Sequence, residues 1–101
     1  MQLTIGQVYT FKLNSGEELI AKVIAAQIGS GYATIENPVS VAPGPQGMGL
    51  VPSMFTAEPD AEIQLNIASV SIFALTEDSV KMKYIEATTG IKIPDKKIIM
   101  G

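Results

Sequence analysis

The chain has no cysteine, no histidine and no tryptophan, and all seven of its basic residues are lysines. Without Cys and His there is no disulfide, no thiol nucleophile, no imidazole base and none of the usual zinc or haem ligands. Without Arg, bidentate contacts to phosphate or guanine are out of reach. Charge of either sign is scarce: 17% of the residues are charged, against roughly 25% in an average soluble domain. The net charge of −3 and a pI near 4.7 oppose general affinity for phosphate backbones, because that affinity comes mainly from Lys and Arg. No apolar run approaches the ~20 residues of a membrane span, and the N-terminus lacks the basic and apolar regions of a signal peptide. The expectation is a cytoplasmic protein with no membrane partner.

Apolar side chains are plentiful, at 47% of 101 residues. A chain this short makes one domain and buries only about two-thirds of its unfolded surface. So much apolar residue beside so little charge predicts that another copy covers part of the surface. Tyr9, Phe11 and Leu13 alternate with Val8, Thr10 and Lys12, the period of a strand with one buried face. Asn14-Ser15-Gly16 supplies a turn, and Leu19, Ala21 and Val23 resume the inward face. This second strand runs to about Ile28. Over Val23-Ile24-Ala25-Ala26 it is apolar on both faces, which predicts cover on both. After Gly29-Ser30-Gly31, a third strand spans Tyr32 to Val41, interrupted at Asn37-Pro38 by a bulge or an edge. Ala42 to Gly49, dominated by Pro and Gly, reads as a loop. Leu50 to Phe55 reads as a short apolar segment, and Thr56 to Ala61 as loop again. Glu62 to Ala68 points Ile63, Leu65 and Ile67 inward, and Val70, Ile72 and Ala74 follow a bend at Ala68-Ser69.

Thr76, with Glu77 and Asp78 behind it, has the chemistry of a helix start, and Gly90 that of a C-terminal cap. The competing reading is a strand, since Val80, Met82 and Tyr84 alternate with Lys81 and Lys83. Caps at both ends favour a helix over about Glu77 to Thr89. The apolar tail beyond it has no assigned place.

Five short strands, a tight first hairpin and a last pair joined by almost nothing describe a small closed barrel. Leu13-Asn14-Ser15-Gly16, followed by an apolar strand, resembles the first signature of Sm-like proteins. Ile67-Ala68-Ser69-Val70-Ser71-Ile72 resembles the second. The runs GEELIAKV and IENPVSV are most similar to small Sm-like proteins of tailed phages, including phages of cyanobacteria. The similarity spans roughly residues 8 to 75. It implies a mainly β fold, a strongly bent five-stranded barrel of SH3-like topology over residues 1–75. The helix and tail of 76–101 would pack on that barrel or on a neighbouring subunit.

The resemblance also implies a closed homo-oligomeric ring of about five to seven copies, in which one subunit's fourth strand pairs with the next subunit's fifth. Ile63, Leu65, Ile67, Val70 and Ile72 are then the interface candidates, and a phage-encoded chain would act in the host cytoplasm. The RNA pocket of the family transfers poorly. Its second glycine falls on Ala21, its aspartate on Gln27, its stacking aromatic on Gly29 and its base-reading asparagine on Gly31. Its arginine and glycine fall on Ala68 and Ser69. Tyr32, one place beyond the asparagine position, is the remaining aromatic candidate for RNA.

Lys81 and Lys83 beside Tyr84 form the other nucleic-acid candidate, set against a solvated helix face with Tyr84 packed inward. Glu17 and Glu18 stand at an exposed turn, where acid–base pairs lack the burial that shifts their pKa values. Glu58, Asp60 and Glu62 lack the glycine-bearing loop of a calcium site. Met48, Leu50, Val51, Met54 and Phe55 offer either an adaptable surface for an unknown protein partner or packing on the chain's own barrel or a ring neighbour. No spacing pairs a nucleophile with a base. The reading is a non-enzymatic scaffold ring without metal or cofactor, with an RNA-binding ring as the alternative.

Overall fold

A computed structural model describes residues 2–45, 47–58 and 61–89. Six strands and one helix follow in order: β1 (Val8–Leu13), β2 (Glu18–Gln27), β3 (Tyr32–Gly44), β4 (Gly47–Pro52), β5 (Ile63–Asn66), β6 (Val70–Leu75) and α1 (Asp78–Thr89). Single 3-10 turns at Ile28–Ser30 and Ile67–Ser69 join β2 to β3 and β5 to β6. All pairings are antiparallel, with the strand order β4-β3-β2-β1-β6 and β5 paired on β3. The fold is therefore mainly β with a C-terminal helix. The Gly90 cap, Asp60 and the 91–101 tail lie outside the described residues.

The opening hairpin forms as its alternation dictates. Gly16 sits at φ +96°, its N–H donates to Leu13 O at 2.9 Å, and Leu13 N–H donates to Glu17 O at 2.8 Å. The inward faces of β1 and β2 supply Tyr9, Phe11, Leu19, Ala21 and Val23 to one buried cluster, completed by Ile35 and Leu65. The opposite face is covered at Ile20 but not along the double-sided apolar run expected to be covered: in Val23-Ile24-Ala25-Ala26 only Val23 is buried, and the other three are half-buried. Val8, Ile20 and Val39 form a second cluster beneath α1, and Tyr84 of α1 is buried in it. The first alternation assigned Val8 to the outer face. That is its strand face, but α1 covers it.

The structure corrects the strand count: among the described residues there are six strands, not five. Ala42 to Gly49 is not a loop. β3 runs on to Gly44, and β4 returns from Gly47, in register from Val39↔Pro52 to Gly44↔Gly47. The prolines obscured this hairpin. Ser53 N–H donates to Pro38 O at 3.1 Å, so by alternation Pro43 and Pro52 fall at positions whose backbone nitrogen faces away from the partner strand. A proline there removes no ladder hydrogen bond. The interruption at Asn37-Pro38 is where β3 changes partner. Tyr32 to Ile35 pair with β5 and Val39 onward with β4, and Asn37 between them takes φ +50°.

Three smaller corrections concern the last third. Ile67 lies in the 3-10 turn rather than in a strand. The register shifts between Lys12↔Ile72 and Leu13↔Val70. Phe73 and Val70 therefore pack on the core, while Ile72 and Ala74 face outward. At the helix start Thr76 is buried, with its Oγ1 2.9 Å from Thr10 Oγ1. The cap is Glu77 instead, whose carboxylate accepts from Ser79 N–H at 2.9 Å and Val80 N–H at 3.3 Å. A hydrogen bond from Ser79 Oγ, followed by those two backbone bonds, lowers its pKa from the ordinary carboxylate value.

Candidate functional site

The two stretches that resemble the Sm signatures meet at the corner between β5 and β6. Asn14, in the first turn, donates from its backbone N–H to Ser69 O at 2.7 Å and from Nδ2 to Ala68 O at 2.8 Å. Its Oδ1 accepts from Ser71 Oγ at 2.5 Å. On the other flank, Ile67 N–H donates to Gly31 O at 2.9 Å, and Tyr32 stands in register with Asn66. Asn66 folds onto the corner itself, its Oδ1 accepting from Ala68 N–H at 3.0 Å, while Ser69 Oγ donates to Asn66 O at 2.6 Å. Three turns distant in sequence thus converge on one neutral, internally bonded corner. Tyr32, 45% exposed, is its aromatic group.

The remaining RNA candidates lie elsewhere. Lys81 lines a cavity of about 270 Å³ between α1 and the middle of β2 and β3, whose walls include Lys22, Glu36 and Tyr84. Lys22 and Glu36 form an ion pair there at 3.9 Å. Glu36 is four residues along β3 from Tyr32, about 13 Å at strand rise. Lys83 is exposed on α1. The structure does not bring Tyr32 together with Lys81 and Lys83, and the corner around Tyr32 contains no lysine of its own.

Tyr84 is structural. Its hydroxyl accepts from Lys22 N–H at 3.0 Å and donates to Glu36 O at 2.9 Å. It bridges β2 and β3 beside the register shift that follows Ile20. Burial is the main reason that its pKa is pushed up to about 12, with the Glu36 carboxylate adding to the effect and the Lys22 N–H opposing it.

The interface candidates divide. Leu65 is buried in the first cluster, and Ile63 and Val70 pack against it from partly exposed positions. Ile67 is half-buried. Ile72 is 67% exposed on β6, and Leu75, at the end of the same strand, is 61% exposed. β6 has no charged residue, and among the described residues it pairs only with β1, so its outer edge is open. β5 likewise pairs only with β3. Met48, Val51, Met54 and Phe55 are also exposed, Phe55 at 82%. Among the described residues no three acidic side chains gather into a cation site, and no helix is long and apolar enough to cross a membrane. Glu17 accepts a hydrogen bond from Ser40 Oγ, which also lies 2.9 Å from Ser53 Oγ. Compared with known proteins, the chain matches no family model and no curated sequence.

Proposed function

We propose that this chain is a small Sm-like barrel whose copies assemble edge to edge into a non-enzymatic scaffold ring, of the kind found in tailed phages. The pairings run in a circuit: β1 on β2, β2 on β3, β3 on β5, then through the 3-10 corner into β6 and back onto β1. This course of the chain supports the reading of a bent small barrel. The observation that carries the assembly is the outer edge of β6. Its sequence VSIFAL has no charge, proline or glycine, and it exposes Ile72 and Leu75. An apolar strand edge left open is an aggregation site. Pairing it with the open edge of β5 on the next copy removes both edges at once and closes a ring. Ile72→Lys tests this without touching the fold's interior, because Ile72 is already outward. Light scattering should give a closed ring of about five to seven copies, or twice that number, for the native chain and a smaller, still folded species for the variant. A native chain that is monomeric at micromolar concentration would remove this reading.

The second reading is an RNA-binding ring, favoured by the exposure of Tyr32 at the corner where the signature stretches meet. Stacking on one aromatic contributes about 1–3 kcal/mol per base. The neutral corner and the net charge of −3 add no backbone attraction. Titration of labelled oligo-U and oligo-A separates the readings. Weak binding, blind to sequence and lost on added salt, is expected for the scaffold. Sub-micromolar oligo-U binding abolished by Tyr32→Ala would put RNA first.

A further inference from the structure

Edge pairing of β5 with β6 leaves one sheet edge unaccounted for, that of β4. This strand ends the sheet order and pairs, among the described residues, only with β3. Natural edges are blunted by lysines, inward charges, prolines or covering elements, and among the described residues β4 has only Pro52, at its end. No charged residue stands anywhere between Glu36 and Glu58. The hairpin and the segment after it expose Met48, Val51, Met54 and Phe55.

The backbone says which groups are free. The Ser53 N–H to Pro38 O bond sets the phase of the ladder, so Gly47, Gly49 and Val51 direct their N–H and C=O toward β3. Met48 and Leu50 direct theirs outward. Pro52, the next outward residue, has no N–H, which limits any added ladder to the glycine-rich half of the strand.

We propose that β4 pairs antiparallel with β4 of a second copy across a two-fold axis at Gly49, making a four-stranded ribbon from two hairpins. Several features single out a second copy as the occupant. The register about Gly49 sets Met48 of each copy against Leu50 of the other, the two residues with free backbone groups. It sets Val51 of each copy against Gly47 of the other, a branched side chain over a bare backbone. Two chains of net charge −3 repel, and the uncharged hairpin is a surface they can share without bringing like charges together. The absence of lysine from the hairpin also leaves it nothing to hold an anionic lipid surface. This pairing stands independently of ring closure: joined to a ring it doubles it, and without a ring it makes a dimer.

The chain's lack of cysteine makes a single introduced thiol a specific reporter. Gly49 is not among the positive-φ glycines, and a Cβ there would meet Ala42 O at 3.6 Å, an ordinary contact. Gly49→Cys should therefore fold and, with oxidised glutathione, convert to a disulfide-linked dimer under conditions that leave Lys83→Cys unlinked. Met48→Pro, which removes an outward N–H, and Val51→Lys should each halve the particle mass with an unchanged circular dichroism spectrum. Gly49→Cys linking no better than Lys83→Cys would overturn the proposal, as would wild-type mass in both folded edge variants. So would co-sedimentation of the native chain with phosphatidylcholine vesicles that Met48→Pro abolishes, since the occupant would then be lipid. If the ring reading alone fails, the native chain is a dimer and Met48→Pro a monomer. If the present pairing alone fails, Met48→Pro keeps the mass of the native ring.

Discussion

Replacing Tyr84 by Phe deletes one oxygen and tests how α1 is held to the sheet. The ring, 3% exposed, stays among Val8, Ile20 and Val39, so almost no apolar burial is lost. What is lost is the bridge: Lys22 N–H loses its acceptor at 3.0 Å and Glu36 C=O its donor at 2.9 Å. A buried backbone group left unpaired costs about 1–3 kcal/mol. Two such groups set an upper bound of about 6 kcal/mol by the same rule. Two routes lower it. Lys22 and Glu36 are register partners and can approach each other, and the cavity of about 270 Å³ beside them can admit water. Water with several polar partners recovers most of a direct bond. The expected loss is about 2 kcal/mol, a large share of the roughly 5–15 kcal/mol available to a whole domain. Urea unfolding followed by far-ultraviolet circular dichroism should show a lowered midpoint at unchanged slope. At about 4–8 °C per kcal/mol, the melting temperature should fall by roughly 8–16 °C. A loss below about 0.5 kcal/mol, no more than a typical exposed substitution, would refute the bridging role. Tyr84→Ala, which also empties the ring's site, should cost about 3–5 kcal/mol.

The same hydroxyl gives a pH signature: its folded pKa, about 12, lies above the ordinary tyrosine value, so the folded state holds this proton more tightly. Its contribution to stability is complete below about pH 10, and falls as pH rises towards 12. Melting temperatures of the native chain and Tyr84→Phe should therefore converge across that window; parallel curves would count against it. Asn14→Ala removes the side-chain bonds to Ala68 O and Ser71 Oγ at an exposed corner, and should cost about 1 kcal/mol in urea midpoint. Hydrogen exchange should become faster at Ser69 and Ser71, with the β1–β2 hairpin left intact.

The elements that local chemistry specifies were legible in the sequence: the β1–β2 hairpin from its alternation and Gly16, the bend at the β5–β6 corner, and α1 from the acids at its start. The same reasoning failed at Ala42 to Gly49. Proline and glycine content predicts a loop, but Pro43 and Pro52 fall on the face of the ladder that bonds nothing, and only the pairing phase reveals that. It failed again at Ile72, where a register shift against β1 turns the expected inward residue outward. Tyr84 was correctly read as packed inward, yet its bridge depends on two backbone groups that lie far away in the chain. Tyr32 was singled out from the sequence, but its separation from Lys81 and Lys83 is a fact of strand geometry. Period and turn chemistry are local and so are written in the residues themselves. Strand phase, register and the meeting of distant turns are set by which strands pair, and only the tertiary structure decides that.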